Sequence, residues 1–255
     1  MPTMNKEKIV SSLFLFALIN LQYIDGHSAA YDKPFIFPVP IDLKVFGGNF
    51  NIDANTFILI PQKPAGQDNF LAGLISNEFA GKYEIPVLIN RKPAFTDKDR
   101  FILIGDITNP LVKSYCDQNG LTGDLKTLGE EGYILSVTSN NIVIAANSSK
   151  GALFGLESLR QLIKLSDGKL IVPQVRVKDS PVYPFRGIKL YLPGRENITF
   201  FKRFIRDFAT YYKFNTIILE LNANMRLGKH PELNIGAVQF ERMLNFSRKY
   251  GPACS

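Results

Sequence analysis

Two histidines and two cysteines are the only imidazole and thiol ligands that this 255-residue chain offers to a metal. His27, Cys116, His230 and Cys254 fall at no spacing that a zinc site uses. The sequence therefore implies no metal and no cofactor. Two cysteines, one of them the penultimate residue, are not a disulfide framework either, and both read as structurally incidental. Apolar runs long enough to cross a bilayer, about 20 residues, are also missing. So is any stretch in which basic residues alternate with aromatics. The formal net charge of +7 comes from scattered lysines and arginines. That describes a solvated basic surface and gives no ground for nucleic-acid recognition.

What is present is ordinary for a globular protein: 45% apolar and 21% charged residues. This length suits one large domain or two small ones and buries a core without disulfides. The first residues differ from the rest. Lys6 and Lys8 precede an apolar run at 9–19, and Gly26-His27-Ser28-Ala29-Ala30 follows. A charged head, a short apolar stretch and a small-residue cleavage site predict a signal peptide over 1–29, and so a secreted or periplasmic protein.

The prolines at 34, 38 and 40 favour an extended opening segment, and Gly47-Gly48 predicts a turn. Residues 56–60 and 101–104 read as strands, as do 85–89. Phe70, Leu71, Leu74, Ile75 and Phe79 share one helical face, with Gly81 as the expected terminus. Residues 109–119 are either a helix end or a loop. The clearest pattern is at 131–163. Tyr133, Leu135 and Val137 alternate, Asn140-Asn141 turns the chain, and Ile142, Val143 and Ile144 return. A helix follows, capped by Ser148 or Ser149. Gly151 and Gly155 within it predict a close approach to the sheet. Together these segments predict a mixed-sheet α+β domain over 30–178.

A proline-rich boundary at 179–184 precedes a restart: a strand at 185–192, a helix at 199–212, a strand at 216–221 and a helix at 239–249. This is a βαβα fragment. A closed barrel of such units takes about 250 residues, so 185–255 reads as the start of a truncated TIM (β/α)8 barrel, and the fold class as α/β.

Three stretches carry a family resemblance. The first is Glu131-Gly132-Tyr133-Ile134-Leu135-Ser136-Val137 with Ile142-Val143-Ile144-Ala145-Ala146-Asn147 and Gly151-Ala152-Leu153-Phe154-Gly155-Leu156-Glu157-Ser158-Leu159-Arg160-Gln161-Leu162. The second is Val172-Pro173, Val177-Lys178-Asp179-Ser180-Pro181 and Phe185-Arg186-Gly187; the third is Lys213-Phe214-Asn215. The chain resembles family-20 glycoside hydrolases, the β-N-acetylhexosaminidases, from about residue 38 to 215. The resemblance implies removal of terminal non-reducing N-acetylhexosamine from glycans by substrate-assisted retaining hydrolysis. The substrate's acetamido oxygen attacks the anomeric carbon, a glutamic acid protonates the leaving oxygen, and an aspartate orients the acetamido group. That acidic pair is expected on a later barrel strand, outside this chain, so no catalytic residue is assigned here and the fragment is expected to be inactive alone. Where the family carries leucine-aspartate-x-x-arginine in its first barrel strand, this sequence has Leu190-Tyr191-Leu192-Pro193-Gly194-Arg195.

The candidate substrate-binding residues are Arg186, Glu220, Asn222 and Arg226. The resemblance implies that Arg186 holds sugar hydroxyls, for which a five-donor fork is suited; the alternative is a salt bridge at the boundary. Glu220 stands near the carboxyl end of a β-branched strand, where barrel sites form, or else is simply paired. Asn222 and Arg226, with Asn224 and His230, follow it in the loop, and Tyr191 and Arg195 lie near the same rim. Asp179 reads as a hydrogen-bonding or turn residue. The expected partner is a glycan ending in N-acetylhexosamine, together with the rest of the barrel. Two other readings stay open: a different barrel hydrolase, such as an α-N-acetylglucosaminidase or α-glucuronidase, and a non-catalytic carbohydrate-binding or structural module.

Overall fold

The computed structural model describes residues 34–220. Phe101–Asp106 forms a strand buried at every position, as a continuous apolar run does when both faces of its sheet are covered. It lies within an eight-stranded mixed sheet. The strands are β1 (Asp42–Ile52), β2 (Phe57–Pro61), β3 (Leu88–Lys92), β4 (Phe101–Asp106), β5 (Tyr133–Val137), β6 (Asn141–Ala146), β7 (Lys164–Ser166) and β8 (Lys169–Asp179). Their order is β1-β8-β5-β6-β4-β2-β3, with β7 paired to β8. The β3, β2, β4 and β6 pairings are parallel; β5–β6, β5–β8 and β1–β8 are antiparallel.

Helices cover both faces. α1 (Gly66–Tyr83) and α4 (Ser149–Leu162) bring Leu71, Ile75, Phe79, Leu156 and Leu159 against Ile58, Ile102, Leu135 and Ile144. On the other side, α2 (Pro110–Gln118) and α3 (Thr122–Lys126) bring Val112, Tyr115 and Leu125 against Leu59, Leu103 and Val143. The glycines of α4 do what their position implies. A Cβ on Gly155 would stand 2.4 Å from Ile144 Cγ2, and one on Gly151 would stand 2.6 Å from the Gly132 carbonyl.

One open reading closes and three local expectations change. The segment at 109–119 is a helix, capped by Asn109, whose side chain accepts from the amides of Leu111 and Val112. α1 runs past Gly81 and closes on Glu84 in the left-handed conformation, φ 57°. The strand expected at 85–89 lies at Leu88–Lys92, because helix closure and Pro86 occupy the residues before it. Gly47-Gly48 is a bulge inside β1, both residues at φ 78°, where the β1–β8 register shifts between Val45 and Asn49. β8 itself is the longest addition. Its Pro173 is tolerated because β7 pairs 169–171 and β5 pairs 176–179 on that side, leaving no strand partner at 173.

After β8, the strands β9 (Gly187–Tyr191) and β10 (Thr216–Glu220) pair in parallel, Gly187 with Thr216 through Tyr191 with Glu220. Between them α5 (Ile198–Phe204) continues into a π turn at Ile205–Ala209. Phe201 and Ile205 pack on Leu190, Leu192, Ile217 and Leu219, the inward alternates of the two strands. The expected helix at 239–249 and the predicted signal peptide lie outside the described residues.

Candidate functional site

Strand alternation decides what the β9–β10 pair presents. With Leu190 and Leu219 turned to the helix, Lys189, Tyr191, Ile218 and Glu220 face the other way and are exposed or half-buried. Glu220, last in β10, forms an ion pair with Lys189, whose ammonium also lies 5.7 Å from the Tyr191 ring centroid. Glu220 and Tyr191 are thus brought together at the carboxyl end of the strands. Lys189 joins them and was missed from the candidate list, although the period of two places 189 and 191 on one face. Asn222 and Arg226 lie outside the described residues, as do Asn224 and His230.

Arg186 is not part of this cluster. It precedes β9, so five residues separate it from Tyr191, about 16 Å at ~3.3 Å per residue. Its Nη2 donates to Glu131 Oε2 at 2.7 Å, its Nε to the Lys213 carbonyl at 2.8 Å and its Nη1 to the Tyr183 carbonyl at 2.8 Å. The guanidinium also stands 5.1 Å from the Phe154 ring centroid. This is the boundary ion pair that the sequence left open as the alternative to sugar binding. Asn215 works beside it: its Oδ1 accepts from the Arg186 amide at 2.9 Å and its Nδ2 donates to the Pro184 carbonyl at 2.7 Å. The starts of β9 and β10 are therefore tied to each other and to the loop before β5.

Deeper at the same junction is a buried polar knot. Lys213 Nζ donates to Asp179 Oδ2 and to the Tyr133 hydroxyl, both at 2.8 Å. Tyr133 in turn donates to Asp179 Oδ2 at 2.8 Å and lies 2.6 Å from Ser158 Oγ. With Tyr133 already donating, Ser158 must be the donor in that last bond. Burial pulls the Lys213 ammonium below its ordinary pKa, partly countered by the Asp179 charge. Burial, then the Asp179 charge, pushes the Tyr133 hydroxyl well above its usual range. Lys213 sits at the end of the α5 path in the left-handed conformation, φ 60°, which turns its side chain back toward β5 and β8. With Lys213 only 5% exposed, this knot holds elements together and has no open face for a substrate. Asp179 has the bonding role expected of it. The knot's four members lie up to 80 residues apart in sequence, so no local pattern announces it.

Among the described residues no group of three or more His, Cys, Asp or Glu side chains could hold a metal ion, and no helix is long and apolar enough to cross a membrane. Cys116 is a buried free thiol; Cys254 lies outside the described residues.

The order of strands and helices, a mixed sheet covered on both faces and followed by a parallel β/α unit, is that of a class of glycosidases. The exo-β-N-acetylglucosaminidase of Vibrio harveyi matches with a TM-score of 0.63 over 87% of this chain and 35% of that one, at 18% identity. In sequence, "Glycosyl hydrolase family 20, domain 2" matches residues 33–180, more than half of the chain. The chain belongs to this family, and its second sheet resembles the start of that family's barrel. Among curated relatives, a β-hexosaminidase of Akkermansia muciniphila is 32% identical over 107 residues, 40% of this chain and 21% of the relative. A chitooligosaccharidolytic β-N-acetylglucosaminidase of Bombyx mori is 49% identical over 65 residues, 24% of this chain and 11% of the relative. The chain thus spans about a fifth or less of the length of these relatives.

Proposed function

We propose that this chain is part of an exported β-N-acetylhexosaminidase that removes terminal non-reducing N-acetylhexosamine from glycans. The family match over residues 33–180, joined to relatives named for that activity, carries the reading. In this scheme residues 30–178 are the non-catalytic domain and 185–255 open the catalytic barrel. The face that bears Lys189, Tyr191 and Glu220 is assigned to the sugar-facing rim, with Asn222 and Arg226 in the loop beyond. Strand ends of that kind carry the chemistry in β/α barrels. Hydrolysis is assigned to a substrate-assisted, retaining route. It departs from the two-carboxylate scheme because the acetamido group is the nucleophile. The glutamic acid and its aspartate partner are assigned to a strand beyond this chain, which alone has no turnover. Loss of a general acid by itself removes ~10²–10⁴-fold in rate. The test is hydrolysis of a chromogenic N-acetylglucosaminide by this chain and by the full-length protein that contains it. Turnover by the full-length protein only is expected. Comparable turnover by the 255-residue chain would overturn the placement of the acidic pair, and an inactive, folded full-length protein would overturn the activity.

A further inference from the structure

A cleft of about 720 Å³ opens between α1, α4 and the π turn, within the ~300–1,000 Å³ range of small-molecule sites. It is separate from the β9–β10 rim, because α5 covers the opposite face of those strands. Its polar lining is already arranged. Arg160 bridges Glu157, at 2.6 Å, and Glu78, and its guanidinium lies 5.4 Å from the Tyr211 ring centroid. Nearer the surface Arg206 holds Asp207 through two parallel bonds of 2.6 and 2.7 Å, both side chains about half exposed.

Three properties of this lining select a ligand. Each guanidinium is matched by carboxylate, and the remaining cation of the lining, Lys82, lies 3.8 Å from Glu78, so every positive charge in the cleft faces a carboxylate rather than standing ready for a phosphate or sulfate. The apolar part of the wall, Leu74, Leu153 and Leu156, is too interrupted by charge for a lipid chain. The side chains that remain are guanidinium–carboxylate pairs; beyond the two bonds between them, Arg206 keeps further N–H groups and Asp207 further lone pairs that can meet the hydroxyls of a ligand. An aromatic ring stands beside them, and such a ring covers the apolar side of a flat ligand.

We propose that the cleft between α1, α4 and the π turn is a second, non-catalytic binding site for a neutral pyranose, with Arg206, Asp207 and Tyr211 as its reachable contacts. The choice of a sugar rests on the glycan reading above; the place and the neutral character rest on the cleft.

The probes are N-acetylglucosamine and its β-1,4-linked dimer, titrated into the 255-residue chain and followed by saturation-transfer NMR or calorimetry. Saturable millimolar binding is expected, weakened at least tenfold by Asp207→Ala and by Tyr211→Ala, and unchanged by Lys113→Ala on α2, across the sheet from the cleft. Unfolding curves of the variants verify that each is folded. No saturable binding, or binding lost in Lys189→Ala but kept in Asp207→Ala, would overturn the site. Preference for glucuronate over the neutral sugars would overturn its chemistry. Hydrolysis by the full-length protein is measured separately: turnover without cleft binding refutes only this inference, and cleft binding without turnover refutes only the proposed activity.

Discussion

Replacing Lys213 by methionine removes one charge from the buried knot and leaves its neighbours in place. Methionine keeps a similar length and the same strain at φ 60°, so the change isolates the ammonium. Asp179 would then keep only the Tyr133 hydroxyl on its Oδ2, with no counter-charge in a site where the lysine is 5% exposed. Breaking a buried pair from one side costs ~3–5 kcal/mol. The lower end applies here. Burial already depresses the Lys213 pKa despite Asp179, so losing the ammonium also recovers part of its own desolvation. A loss of about 3 kcal/mol in a chain of this size lowers the melting temperature by ~6–12 °C. Adding Asp179→Asn should return stability to within about 1 kcal/mol of the starting protein, because removing both charges removes the imbalance. Far-ultraviolet circular dichroism during heating, with urea titration as the second probe, measures both. A loss under 1 kcal/mol in Lys213→Met, or a double variant worse than either single one, would refute the picture of a charge-balanced knot.

Two further outcomes follow from the same packing. Gly155→Ala should destabilise by about 1–3 kcal/mol, since its Cβ would meet Ile144 at 2.4 Å, whereas Gly81→Ala, with nothing within 4 Å, should stabilise by about 0.5–1 kcal/mol; opposite shifts of the urea midpoint verify both. Glu157 is raised from 4.5 to about 7 in the folded chain, mainly by burial, so its protonated form favours folding. That contribution is complete below pH 4.5 and disappears as pH rises through 7, a span worth about 3 kcal/mol. Glu157→Gln should remove this slope, and melts from pH 5 to 8 that keep it would locate the titration elsewhere.

The parts visible from sequence were those whose partners are close along the chain. The β5–β6 hairpin, α4 with its two contact glycines and the β9–α5–β10 repeat each have a period that their own residues complete. β8 stayed hidden because Pro173, Arg176 and Lys178 interrupt it, and the reason they are tolerated lies in which strands flank it. The Gly47-Gly48 bulge reads locally as a turn, since only register against β8 distinguishes the two. That Glu220 and Tyr191 stand together at the carboxyl ends of their strands could be read from their positions in the two β segments. Arg186 could not be placed, because its acceptors on Glu131, Tyr183 and Lys213 depend on how the two sheets meet.

The order β1-β8-β5 has a consequence for synthesis. β1 leaves the ribosome first, yet its pairing is with β8, whose register runs from Lys178 against Asp42 to Leu170 against Ile52. Closing a loop of well over a hundred residues is entropically slow, and β5 also waits for β8 on its second edge. The nascent chain therefore carries β1 and one edge of β5 unpaired until residue 179 has emerged. During that interval the bulge at Gly47-Gly48 twists and interrupts the waiting edge, which is how natural sheets blunt an unpaired strand against aggregation.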